Sequence, residues 1–167
     1  MPEGRLTELL IDDATWSAGS TARRHEWRLA INEILQEGRF TLPDGADARA
    51  LLTLAPTRVL VDVHDAGGRA LSQHALPLEQ IRPLMTEYME TITEMSKLRL
   101  STNSPRLEAL DIAKRITHDE AGETVVTLLG PLKPDHGTAR RFFTLLVTLL
   151  YDTTKLGAAH ATAPRPR

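Results

Sequence analysis

Four side chains in this 167-residue sequence stand at a spacing that supports chemistry: Glu108, Asp111, Arg115 and His118, at relative positions 0, 3, 7 and 10. On an α-helix these steps keep all four on one stripe, with Ala109, Ile112, Ala113 and Ile116 to the other side. Two carboxylates, a guanidinium and an imidazole in a row can hold a metal, poise a general base or bind an anion. The same stripe is also what a solvated helix face looks like, with Asp111 and Arg115 as an ordinary i,i+4 ion pair. Glu120 follows just after His118 where Gly122 weakens a helix, so it can fold back and join Glu108, Asp111 and His118 as a catalytic candidate.

Two basic clusters raise a second possibility. Arg23, Arg24, His25 and Arg28 crowd the start of a first helix, where cations oppose the macrodipole, and Arg140 and Arg141 precede the last one. If the clusters meet, Arg115, Arg140, Arg141 and His25 form a pocket for a small anionic ligand; otherwise they are exposed charge beside a buried Trp27. No aromatic is interleaved among them, so base stacking has no platform. His64 and His74 flank a hairpin turn without a third zinc ligand at workable spacing, so no metal set is assigned. GxGxxG, a Walker lysine, HExxH and GxSxG are all missing, and no cofactor is implied.

The elements that must position these groups follow from periodicity. Leu6 to Ile11 reads as a strand, and Ala22 to Glu37 as a helix with Trp27, Ala30, Ile31, Ile34 and Leu35 on one face and Gly38 as a left-handed C-cap. Residues 43–50 read as a polar loop and Leu51 to Leu54 as a short strand. Val59, Val61 and Val63 alternate with polar neighbours, Asp65 to Gly68 makes a tight turn, and a return strand runs through Leu71 towards Ala75. From Leu78 the period becomes helical: Ile81, Met85, Tyr88, Ile92 and Met95 form an apolar stripe that can serve as an interface. Ser101 to Pro105 breaks that helix, and Ser104 caps a further one running to about His118. The segment Thr124 to Leu129 fits helix or strand, Phe142 to Tyr151 a largely buried helix, and residues 157–167 a flexible, basic, Pro-rich tail. The expected architecture is α+β: one domain over residues 1–156, with a small antiparallel sheet in its N-terminal half packed against a mostly helical C-terminal half.

Composition narrows the function classes. Hydrophobic residues make up 41%, enough for a core, and the formal net charge of -2 gives no long-range pull on nucleic acid or anionic lipid. Cysteine is absent, which removes disulfides, thiolate nucleophiles and Cys-ligated metals. The N-terminus lacks a signal-peptide pattern, and the apolar run from Phe142 to Tyr151 is half the length of a membrane span. A cytoplasmic location is expected.

The stretch SPRLEALDIAKRITHDEAGE, followed by DHGTARRFFTLLVTLLY, resembles the C-terminal signature of uncharacterised protein family 0262 of alphaproteobacteria, and HEWRLAINEILQEGRF resembles its first helix. The resemblance marks His25, Glu26, Phe40, Glu108, Asp111, His118, Glu120, Thr138, Arg140 and Arg141 without giving them a role. Where the family carries an aromatic pair before Asp-Ala-Ile-Arg, this chain has Thr93 to Arg99, and Lys114 to Thr117 departs from the family's double arginine and glycine. Such drift suits a packing surface better than a catalytic centre. The leading expectation is therefore a non-catalytic binding module for a protein partner or a second copy of itself as a homodimer. Metal-assisted or acid–base chemistry on an anionic substrate is the alternative, and a nucleic-acid-binding regulator comes third.

Overall fold

The computed structural model describes residues 4–42, 45–98 and 104–156; the sequence-expected tail lies outside them. In chain order the elements are β1 (Leu6–Ile11), α1 (Asp13–Ala18), α2 (Thr21–Glu37), β2 (Ala48–Leu54), β3 (Arg58–Asp65), β4 (Ala70–Pro77), α3 (Leu78–Leu98), α4 (Ser104–Leu128) and α5 (His136–Leu150). The fold is α+β, a four-stranded sheet in the N-terminal half packed against the helix-rich remainder.

The strands lie in the order β1-β2-β3-β4. β2, β3 and β4 form two antiparallel hairpins, and β1 adds in parallel to the edge at β2, with Leu9 opposite Ala50 and Leu10 opposite Leu51. α1 and α2 supply the crossover that a parallel pair needs. The turn between β3 and β4 is built by Asp65, whose Oδ1 accepts from the N–H groups of Gly67 and Arg69 at 2.9 Å, while Gly68 takes the φ of +86° closed to most side chains. β2 starts at Ala48 rather than Leu51, because Ala48 and Ala50 are small enough to sit on the buried face opposite Asp65 and Val63. One sheet face is buried through Leu9, Ile11, Ala50, Leu52, Val59, Val61, Val63 and Leu76.

α5 occupies the centre. Asp135 caps it by accepting from Thr138 N at 2.8 Å, and Phe142, Phe143, Leu145, Leu146, Val147 and Leu149 are buried along it. α2 packs on one flank of α5 and α4 on the other, with α3 beyond α4. Phe142 meets Ala50, Val61 and Val63 of the sheet across a small apolar gap that Phe40, Leu129 and Leu132 also line.

Three sequence expectations are corrected here. Gly38 ends α2 in the extended region, φ -70° and ψ 148°, not in the left-handed one. A glycine is needed because a Cβ there would fall on the Ile34 carbonyl, which accepts the Gly38 N–H at 2.7 Å. α4 does not stop near His118 but runs through Gly122 to Leu128, which makes most of the ambiguous Thr124 segment helical. The stripe Ile81, Met85, Tyr88, Ile92 and Met95, expected at an interface, is at most 3% exposed and belongs to the chain's own core. Its period matched a buried face, and α4 is what covers it. α1 was not anticipated, although Asp12 followed by Thr15 is a cap signature: Asp12 Oδ1 accepts from Thr15 N at 2.9 Å.

Because Ile92 is fully buried and Ile116 is 55% exposed, Ile92→Ala is expected to lower unfolding free energy by about 2–5 kcal/mol and Ile116→Ala to change it by less than about 1 kcal/mol. Urea denaturation of both variants beside the parent checks the difference.

Candidate functional site

The richest buried polar group lies where α4 crosses α5. α4 turns Leu110, Lys114, Thr117, His118, Ala121 and Val125 inward, so a lysine, a threonine and a histidine hold positions that an amphipathic helix normally gives to apolar side chains. Gly122 allows the approach: a Cβ there would stand 2.8 Å from Arg140 Cγ and 3.0 Å from His136 Nε2. The helix-weakening residue is thus the point at which the start of α5 comes closest.

His118 is 6% exposed. Its Nε2 lies 3.0 Å from the Arg140 carbonyl and 2.9 Å from Thr144 Oγ1, while its Nδ1 lies 3.4 Å from Arg140 Nη2. A carbonyl only accepts and a guanidinium only donates, so the network assigns the proton to Nε2 and leaves Nδ1 as the acceptor. Tyr88 and Phe143 flank the imidazole, with ring centroids 5.8 Å and 5.9 Å away. Burial, followed by the facing Arg140 charge, pushes the His118 pKa down to about 4, with Lys114 adding to the effect and the Arg140 carbonyl and Asp119 opposing it. Burial holds the Tyr88 phenol well above its usual range. At neutral pH His118 is a neutral strut from α4 to the α5 backbone, with both ring nitrogens engaged.

The other expected site residues disperse. Asp111 and Arg115 form an i,i+4 ion pair of 2.8 Å at the surface, and Glu108 and Glu120 are exposed. Of the four catalytic candidates only His118 turns inward, so they do not converge. Ala109, Ile112 and Ile116, placed by periodicity on the side away from the stripe, face solvent instead of the core. Arg140 and Arg141 point to opposite flanks of α5: Arg140 Nε stands 3.3 Å from Asp119 Oδ1 on α4, whereas Arg141 reaches Glu33 at 3.2 Å and Glu37 at 2.7 Å on α2. His25 is exposed on α2. The four-residue anion pocket of Arg115, Arg140, Arg141 and His25 is therefore not assembled, because successive helix positions are turned by 100°. His64 and His74 pair with Ala70 and Val61 and lie on opposite sheet faces. Among the described residues no group of three or more His, Asp or Glu side chains is placed to hold a metal ion.

Sequence reasoning passed over Lys114 and Thr144 and read Tyr88 as an interface residue. The available signal was the series Leu110, Lys114, His118, Ala121, Val125, whose steps of 4, 4, 3 and 4 define a face that includes two basic residues.

A family model described as Uncharacterised protein family (UPF0262) matches residues 3–152. The chain belongs to this family. It is similar to a UPF0262 protein of Methylobacterium radiotolerans, 34% identical over 148 residues that make up 87% of this chain and 92% of the relative. It is likewise similar to UPF0262 proteins of Azorhizobium caulinodans, 32% identical over 89% of this chain and 94% of the relative, and Rhodospirillum rubrum, 29% over 86% and 91%. No solved structure matches the chain. The matched region takes in the sheet and all five helices, so the His118 crossing lies within the part shared with the family.

His118 yields a pH prediction. Its folded pKa lies below the unfolded value near 6.5, so the unfolded chain takes up a proton first, and stability falls as pH drops from about 6.5 towards 4. A shift of this size is worth about 3 kcal/mol, and buried His74, also lowered, adds in the same direction. Thermal unfolding at pH 7 and pH 4.5 is expected to show this loss in the parent and a clearly smaller one in His118→Gln, which keeps a donor at the Nε2 position.

Proposed function

We propose that this chain is a non-catalytic cytoplasmic interaction module that docks a second copy of itself on the outer face of α4. The observation that carries the reading is the exposure of Ile112 and Ile116, 58% and 55%, one turn apart on a helix that buries Lys114, Thr117 and His118. Burying an isoleucine is worth about 1.5–3 kcal/mol, roughly half of which each of these two leaves uncollected within the chain. Ala109 extends the patch, and Glu108, the Asp111–Arg115 pair and Glu120 border it, giving an apolar centre with a charged rim. A two-fold contact places the same patch on both copies, so one helix face serves both sides.

The non-catalytic half of the proposal is supported by the dispersal of the candidate acid–base groups. The imidazole is engaged at both nitrogens inside the helix crossing, and the carboxylates of Glu108, Asp111 and Glu120 are spread along the outside. A reacting group has no point at which to touch an acid and a base together.

Sedimentation velocity over micromolar to millimolar concentrations tests the proposal. The parent is expected to pass from monomer to dimer, and the double variant Ile112→Glu, Ile116→Glu to stay monomeric with its melting transition retained. A parent that remains monomeric throughout, or a double variant that dimerises equally well, overturns it.

A further inference from the structure

We infer that the corner between α1 and α2 is a binding site for a small phosphate ester with an apolar body. A cleft of about 350 Å3 opens there, lined by Asp12, Thr15, Arg23, Trp27, Leu54 and Leu149. Its volume falls at the lower end of small-molecule sites. The cleft exists because α1 ends at Gly19, where a Cβ would overlap the Trp27 ring, so the indole lies directly beneath the turn. Trp27 is fixed in place by its Nε1–H, which donates to the Thr148 carbonyl at 2.9 Å.

The charge at this corner is what calls for a ligand. Arg23, Arg24 and Arg28 all lie in the first half of α2, nearest its positive dipole end, where cations are disfavoured. Among the described residues none of the three is ion-paired. Arg23 Nη2 donates to the carbonyls of Thr148 and Leu149 at 3.2 Å and 3.0 Å, but its Nε is buried with no hydrogen-bond partner. Arg24 donates to Trp16 O and Ser17 O. Arg28 lies over the Trp16 ring at 4.9 Å, and that ring is 5.8 Å from Trp27, the aromatic wall of the cleft. Trp16 therefore supplies the aromatic that the linear sequence did not place among these arginines.

The neighbouring acids are committed elsewhere. The Asp12 carboxylate accepts from Thr15 N, Thr15 Oγ1 and Leu54 N, and Glu26 accepts the Thr153 hydroxyl at 2.6 Å. Several guanidinium forks around one opening match the three oxygens and double charge of a phosphomonoester better than a single carboxylate. Trp27, Leu54 and Leu149, with Ala14 and Ala18, provide the apolar wall for the body of the molecule.

Phenyl phosphate is the probe, read by tryptophan fluorescence and by the indole N–H resonances. A saturable shift of the Trp27 indole is expected, with no such shift from phenol or from chloride at equal ionic strength. Arg28→Gln removes a charge that makes no described hydrogen bond, and Ala18→Leu fills the cleft from an exposed position. Each is expected to weaken binding about tenfold or more while keeping the parent's melting temperature. The inference is overturned by a response no greater than that to chloride, by phenol acting as well as phenyl phosphate, or by both variants binding the probe like the parent.

Discussion

α5 is enclosed by the sheet, by α2 and by α4, and the positions of all three follow from what its sides require. Its apolar side chains are buried from Phe142 to Leu149, each worth about 1.5–3 kcal/mol relative to exposure. Its backbone ends and its few polar side chains then have to be satisfied by neighbours. At the N-terminus Asp135 caps the first turn, and Thr138 Oγ1 accepts the Arg39 N–H at 2.7 Å, which ties the exit of α2 to the entry of α5. At the C-terminus Arg23 and Trp27 of α2 take up the carbonyls of Thr148 and Leu149. In the middle His118 takes the Arg140 carbonyl from the α4 side. The long-range hydrogen bonds of the helical half thus converge on one buried helix.

The polar inward face of α4 follows from the same constraint. A helix packed on an entirely apolar partner would place its isoleucines inward, but α4 meets α5 near Arg140 and Thr144, whose polar atoms need partners. His118 answers that need as a neutral ring, with Tyr88 and Phe143 packed around it. Lys114 and Thr117 share the face, and Ile112 and Ile116 are turned out as a result. One packing decision therefore produces both the buried histidine and the exposed apolar pair. At the opposite flank α2 divides its own charges: Glu33 and Glu37 near its C-terminal end hold Arg141, while the arginines near its start have aromatic rings and carbonyls for neighbours.

Periodicity was sufficient where one element had one buried face. The valines of β3 and the stripe of α3 could be read directly, since a period of two or of about 3.6 names the residues that face the core whatever the core is. It failed where two elements compete for the same residue. Gly122 read as a helix weakener, because the cost of glycine is local and visible, whereas the Arg140 side chain that needs its space comes from another helix. The stripe Glu108, Asp111, Arg115, His118 read as one unit because spacing fixes angle alone; burial divides it, leaving His118 inside and Glu108 and Arg115 outside.

What the sequence determined by itself was the α+β class, the hairpin at Asp65 to Gly68, the helical character of α2, α3 and α5, and membership of a family through residues that keep their order and spacing. These depend on neighbours a few positions apart, and their physical causes are turn chemistry, capping and amphipathic period. The tertiary structure alone decided which residues meet. It sent Arg140 and Arg141 to different helices, made His118 a neutral strut, and set Arg23 and Arg28 against tryptophans at the α1–α2 corner. Side-chain chemistry is carried by residue type, but a partner is defined by distance, and distance between helices is set by how α5 is buried.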